Sequence, residues 1–317
     1  MVNEPEGYSD FYAFHWRVLS CGYRVEGGYI YERDVLERVA GTYSQYSVFE
    51  TEGLFRTLLS TTAVAFANKY GLLGLSRSHE EEPNIEVTDR YLQNQASEEL
   101  SRWLTEKTIL REAVALWDSL RSGDVAKVRQ VITWEAPGEI WYLAPSRTTG
   151  EYWHDDVQLS KRFVVASRET SPQRFARFKN YDVMAPGWYA LQQIVNRNMR
   201  NWSVTPRLVF GPGGDDTELK IRVIPNNLIG AIWVQFALAI EQKRNYRQCR
   251  QCGEWLEVAR GTKEDQKSKF CSNACRFKAY RERQHQAQKM FSEGATVKEI
   301  SAKLGSDLKT VKGWVRK

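Results

Sequence analysis

Cys249-Arg250-Gln251-Cys252-Gly253 and Phe270-Cys271-Ser272-Asn273-Ala274-Cys275-Arg276 are the two stretches on which the reading of this chain turns. They hold four of its five cysteines, with two residues inside the first pair, three inside the second and eighteen between the pairs. A turn with two intervening residues presents both sulfurs to one point, and Gly253 supplies the positive φ that such a turn takes. Four converging thiolates suit a tetrahedral Zn2+, with Zn–S distances of about 2.3 Å. An iron–sulfur cluster also takes four thiolates, but the compact two-pair spacing fits structural zinc better. With Cys249, Cys252, Cys271 and Cys275 all ligating, no coordination position stays open. The expectation is therefore one structural, non-catalytic Zn2+.

Working outward, Glu254 to Val258 alternates polar and apolar, as a half-buried strand does. Ser272 can cap a helix that starts at the second pair, with Phe277, Tyr280, Ala287 and Phe291 as its inner face. A knuckle, a hairpin and a helix whose first turn supplies the last two ligands make a treble-clef-like zinc finger. Beyond it, Thr296-Val297-Lys298-Glu299 is a capping box. It opens a helix to Leu304, and after Gly305-Ser306-Asp307 a second short helix runs from Leu308. The small Ser301, the turn glycine and the apolar Val311 and Trp314 match a helix-turn-helix spacing. Ile300, Leu304, Leu308, Val311 and Trp314 are expected to share a core, completed by Ala287, Met290 and Phe291. In such units the last helix enters the major groove of DNA. Its outward candidates are Lys309, Lys312 and Arg316, with Thr310 and Asp307 positioning them. Gly313 is a weak point, costing about 1 kcal/mol against alanine in a helix. Arg276, Lys278, Arg281, Arg283 and Lys289 make the preceding helix basic, suited to phosphate contacts.

Charge separates the same two regions. Residues 243–317 carry 19 Lys and Arg against 8 Asp and Glu, a net +11, while the remainder carries 26 against 31, a net −5. A basic tail on an acidic body is the electrostatic footprint of a nucleic-acid contact. The acidic start Met1-Val2-Asn3-Glu4-Pro5-Glu6 has no apolar core of a secretory signal. No apolar run reaches the roughly 18–20 residues of a membrane span. The nearest, Leu228 to Ile240, is shorter and contains Gln235. Expected, then, is a cytoplasmic chain without a membrane partner, where thiols favour metal over disulfides. Cys21 reads as a buried thiol.

The body reads as α+β. Phe11 to Leu19 and Tyr29 to Tyr31 are strand-like. Leu54 to Tyr70 has helical apolar spacing and stops at Gly71. Ser97 to Arg121 is a long amphipathic helix ending at Ser122-Gly123, and Asp124 can cap a shorter one. Ile140 to Leu143 and Arg162 to Ala166 read as strands, Pro186 to Trp202 as a helix, and Val204 to Phe210 with Glu218 to Ile224 as a hairpin. Leu228 to Gln242 is apolar on all sides, which predicts a buried helix. The expected divisions are an α+β body over 1–242 for sensing or dimerisation, a four-Cys finger over 243–284 and a helix-turn-helix over 285–317.

From Tyr246-Arg247-Gln248-Cys249 through Arg283 the chain resembles the C-terminal finger of bacterial CGNR-type zinc-finger proteins. The resemblance implies a transcription regulator that joins an N-terminal ligand-sensing region to a four-Cys finger. Two departures stand out. Cys275 is followed by Arg276-Phe277-Lys278 in place of the namesake Cys-Gly-Asn-Arg, and a helix-turn-helix after the finger is not general in that family.

No phosphate-binding Gly-x-x-x-x-Gly-Lys-Ser/Thr, His-Glu-x-x-His or Gly-x-Ser-x-Gly occurs. Among the four histidines the cluster to weigh for metal-dependent hydrolysis is His154-Asp155-Asp156 beside Trp153, while His79 stands beside Glu80-Glu81-Glu82-Pro83 in a polar stretch read as a surface loop. Trp141, Tyr142, Trp153, Trp188 and Tyr189 are candidates for an aromatic pocket that takes a small molecule. The expectation is a DNA-binding protein, more regulator than enzyme, with a homodimer suggested by half-site logic. The alternative is a nucleic-acid-targeted effector, nuclease-like or acting in phage defence, with its active site in the body.

Overall fold

Helices and small antiparallel sheets alternate along the chain, and they gather into two compact units, Met1–Lys243 and Arg244–Lys317. The computed structural model describes residues 15–33, 43–47, 53–75, 97–135, 138–145, 162–210, 219–258 and 269–315.

In the first unit, strands β1 (His15–Leu19), β2 (Tyr23–Glu26), β3 (Tyr29–Glu32) and β4 (Tyr43–Ser47) come first. Strand β1 pairs with β4, and β2 and β3 form a hairpin about Gly27-Gly28. The apolar run Leu54 to Tyr70 is two helices rather than the single one its periodicity predicts, α1 (Leu54–Ser60) and α2 (Ala63–Tyr70). Thr62 breaks it: its backbone is extended and its hydroxyl accepts the Ala65 N–H, a helix start inside the run. Ser97–Glu99 likewise leaves the helix predicted from Ser97. It forms strand β5 on the free side of β3. Helix α3 (Leu100–Ser122) follows and ends at Gly123, and α4 (Val125–Arg129) is capped by Asp124.

Strands β6 (Ile132–Glu135), β7 (Glu139–Leu143) and β8 (Arg162–Ser167) make a three-stranded antiparallel sheet. After α5 (Pro172–Phe175) comes α6 (Met184–Asn201), which crosses α3 and α4 at Gly187. A β-carbon there would stand 2.9 Å from a Leu120 methyl and 3.2 Å from one of Val128, so glycine sets how closely these helices approach. Strands β9 (Thr205–Phe210) and β10 (Leu219–Ile224) pair as a hairpin. Helix α7 (Leu228–Glu241) is apolar all round and is the centre of this core. Ile232, Trp233 and Phe236 on it are fully buried. The ring of Phe236 lies 5.1 Å from that of Phe55 and 5.6 Å from that of Trp117. Its buried polar side chain, Gln235, accepts the N–H of Leu54 at the start of α1 (2.7 Å).

Three carboxyl groups are buried among the described residues of this unit, those of Glu32, Glu98 and Glu106. Glu98, on β5, accepts the backbone N–H groups of Leu73, Gly74 and Leu75 and the Trp103 indole N–H. Glu106, on α3, accepts the Trp202 indole N–H at 3.3 Å. Burial raises the Glu106 carboxyl from 4.5 to about 7, against the pull of that N–H and of Arg102. Below about pH 4.5 the group is protonated whether the chain is folded or not. Between there and pH 7 the folded chain keeps a proton that the unfolded chain releases, so stability falls as pH rises through this window. The full loss is about 3 kcal/mol. Glu106→Gln removes it: urea unfolding at pH 8 is expected to show the variant gaining about that much over wild type, relative to their difference at pH 4.

The second unit begins with a hairpin, β11 (Asn245–Gln248) and β12 (Trp255–Val258). It continues with α8 (Asn273–Ser292), α9 (Val297–Leu304) and α10 (Leu308–Val315). Buried Ala287, Ile300, Val311 and Trp314 form its core, with Met290, Ala295, Val297, Leu304 and Val315 packed against them. The capping box at Thr296 and Glu299 is present, and Gly305 closes α9 in the left-handed region. Ser301 donates its hydroxyl to the Ser306 carbonyl and so ties the turn (2.7 Å). Trp314 donates its indole N–H to the Tyr280 hydroxyl (2.7 Å), fastening α10 to α8.

Two apolar residues expected in this core lie outside it, Leu308 at 44% exposed and Phe291 at 48%. Phe277, at helical spacing along the preceding helix, is also exposed, at 62%. Two eight-residue helices and the last turns of α8 around one tryptophan enclose little volume. Val311 and Trp314 fill it from α10, and Leu308, at the helix start, is turned away from them.

Candidate metal centre

The hairpin brings the first cysteine pair to its tip. Gln248 pairs with Trp255, and the turn between them is closed by Cys249 N–H on the Glu254 carbonyl (2.8 Å) and Gly253 N–H on the Cys249 carbonyl (2.9 Å). Gly253 has φ 74°, the left-handed value the turn was expected to need. The second pair arrives by the start of α8. Ser272 is its N-cap, its hydroxyl accepting the Cys275 N–H (3.2 Å). Only Cys275 therefore stands in the first helical turn, and Cys271 precedes the cap. That corrects the expectation that the helix supplies both. The hydrogen bond from Arg250 N–H to the Lys269 carbonyl (3.0 Å) joins the two arms. So does the Gln251 amide on the Glu282 carboxylate (3.0 and 3.1 Å).

All four sulfurs lie within 4.8 Å of one another. Cys271 Sγ is 3.5 Å from both Cys252 Sγ and Cys275 Sγ. A tetrahedron with Zn–S of about 2.3 Å has S···S edges of about 3.8 Å, so the donor set fits a Zn2+-sized ion. The sulfurs are not equivalent. Burial pushes the Cys249 thiol up, but N–H groups of Cys252, Cys271 and Gln251 outweigh it and bring the thiol down to about 6. Cys271 is driven the other way, to about 12, by burial and by the neighbouring thiols of Cys252, Cys275 and Cys249. Cys252 is also raised, chiefly by burial. The cluster resists carrying several negative charges by itself, and a divalent cation at its centre relieves this while displacing the remaining protons. Cys21, expected to be buried, is half-buried in the first unit, with its thiol on the Gly22 carbonyl.

Of the candidate nucleic-acid residues, Arg276, Lys278 and Arg281 are exposed on α8, and Arg283 is half-buried with its Nε–H on the Ala279 carbonyl. Lys309 and Lys312 are exposed on α10. Thr310 is occupied within the chain: its N–H and hydroxyl both bind the Asp307 carboxylate (2.8 and 2.7 Å). Arg316 lies outside the described residues, as do Trp153, His154, Asp155 and Asp156 and the loop Gly211 to Glu218.

Of the aromatic residues considered as a pocket, the four that are described do not converge. Trp141 and Tyr142 are neighbours on β7 and so point to opposite faces of its sheet. Tyr142 is buried against Phe163, while Trp141 lies under the Arg162 guanidinium at 3.9 Å. On α6, Trp188 is exposed, and Tyr189 stacks with Arg174 and Phe178.

No family model, curated protein or solved structure matches the chain. Among the described residues no helix is long and apolar enough to cross a membrane.

Proposed function

We propose that the chain is a DNA-binding protein, a regulator of transcription of the CGNR-like kind. In this reading a structural Zn2+ on Cys249, Cys252, Cys271 and Cys275 organises a treble-clef finger, and α9 and α10 form a helix-turn-helix. The observation that carries it is the outward face of α10, where exposed Lys309 and Lys312 stand opposite buried Val311 and Trp314. The +11 charge of the region and the exposed Arg276, Lys278 and Arg281 support it. Helix α10 supplies base contacts, and α8 supplies phosphate contacts that set affinity and its salt dependence. The metal, when bound, is a structural cross-link with a saturated ligand set and no open position for substrate.

Salt tests this reading. Duplex DNA is expected to bind with an affinity that falls steeply and log-linearly with salt. Each phosphate-contacting cation removed is expected to lower the slope by about one. Arg276→Ala with Arg281→Ala should therefore reduce it by about two across all sequences. Binding that is indifferent to salt and to these substitutions would make the finger a protein-docking module instead.

A further inference from the structure

The outward face of α10 carries more than lysines. Leu308 is 44% exposed at its first position, and Lys309, Lys312 and Gly313 are exposed beside it. At about 100° per residue, Leu308 and Lys312 lie one turn apart along one side of this face. Lys309 and Gly313 lie one turn apart along the other.

Gly313 is a poor choice for a helix that meets only water. Glycine inside a helix destabilises it relative to alanine. A β-carbon on Gly313 would meet nothing within 4 Å, so packing in the chain does not call for glycine there. A lone exposed leucine is ordinary on a protein surface. Here it shares one face with a stretch of bare backbone and two cations.

The major groove offers a partner to each of them. Phosphates and guanine acceptors suit the lysines, the thymine C5-methyl is the apolar group on its floor, and a helix without a side chain at one point can seat closer to its wall. We propose that α10 reads a thymine methyl through Leu308, and that Gly313 is bare so that the helix backbone can approach DNA more closely than a β-carbon would permit. The inference rests on the DNA-binding reading above and assigns its base-reading contact.

The test starts from duplexes selected out of a random pool by the full-length, zinc-loaded protein. The enriched site is remade with deoxyuridine replacing each thymine in turn. Loss of the contacted methyl is expected to weaken wild-type binding about fourfold. Leu308→Ala, which changes an exposed side chain, is expected to bind the thymine and uracil duplexes alike. Gly313→Ala should raise the thermal midpoint by a few degrees while weakening binding to every duplex. Those opposite signs separate a contact role from a structural one. If wild type and Leu308→Ala respond identically to the loss of every methyl, the methyl contact is wrong. A Gly313→Ala protein that binds as tightly as wild type overturns the close approach. A pool in which nothing is enriched overturns the DNA-binding reading and this inference with it.

Discussion

Replacing Cys271 by serine is expected to abolish zinc binding and to unfold the hairpin β11–β12 together with the first turns of α8, while leaving the three-helix core in place. Among the described residues from Arg244 to Gln286, Cys249 alone is buried, so this stretch has no apolar core of its own. A two-stranded hairpin is at best marginal in water. What closes the stretch is the convergence of four sulfurs within 4.8 Å, helped by the Gln251–Glu282 contact. A structural zinc site contributes on the order of 10 kcal/mol, far more than an exposed hydrogen bond. Ala287, Ile300, Val311 and Trp314 lie beyond that stretch and pack on each other. Metal analysis should give one zinc per wild-type chain and none for the variant. Hydrogen exchange should lose protection over the hairpin but keep it over α9 and α10. Cys21→Ser is the control and should retain its zinc. A Cys271→Ser protein with full metal content, or with a protected hairpin, would show that the thiolate cluster is not what holds the finger.

Glu98→Gln is expected to destabilise the body by about 4 kcal/mol without changing the shape of the side chain. One carboxylate here gathers four N–H donors. Leu73 N–H and the Trp103 indole N–H bind Oε2 at 2.9 and 2.7 Å, and Gly74 and Leu75 N–H bind Oε1 at 2.5 and 2.7 Å. Burial pushes the carboxyl up, and the four donors oppose that shift. An amide offers one acceptor oxygen, and its NH2 would face two of the donors. Two buried N–H groups then lose their partners, at about 1–3 kcal/mol each. The loss should appear as a lower urea midpoint with an unchanged m-value, because the folded surface is the same. A variant within about 1 kcal/mol of wild type would mean that water or a shifted loop satisfies these donors.

The site was legible where chemistry is local. Cysteine spacing, Gly253 in the knuckle, Ser272 as cap and the Thr296–Glu299 box each depend on residues within a few positions of one another, and each is in the structure as read. Helix α7 was equally plain, because a helix apolar on every side has only one place to go. Legibility failed where a residue's partner is far away in sequence. Nothing near Ser97 says that it leaves the helix pattern to pair with Tyr31, or that Glu98 gathers the backbone of residues 73–75. The break at Thr62 was within reach, since a threonine inside an apolar run is a known helix start.

By itself, then, the sequence determined a mixed helix–strand chain, a basic C-terminal region and a four-thiolate set, because composition, charge and short-range spacing carry those directly. Only the tertiary structure decided which apolar residues of the second unit are inside. Leu308 has the spacing of a core residue, yet Val311 and Trp314 fill the small interior and leave it on the surface. A periodic pattern says which side a residue is on to within about half a turn. How much room that side has is set by the neighbouring helices, and that difference leaves Leu308 on the surface instead of in the packing.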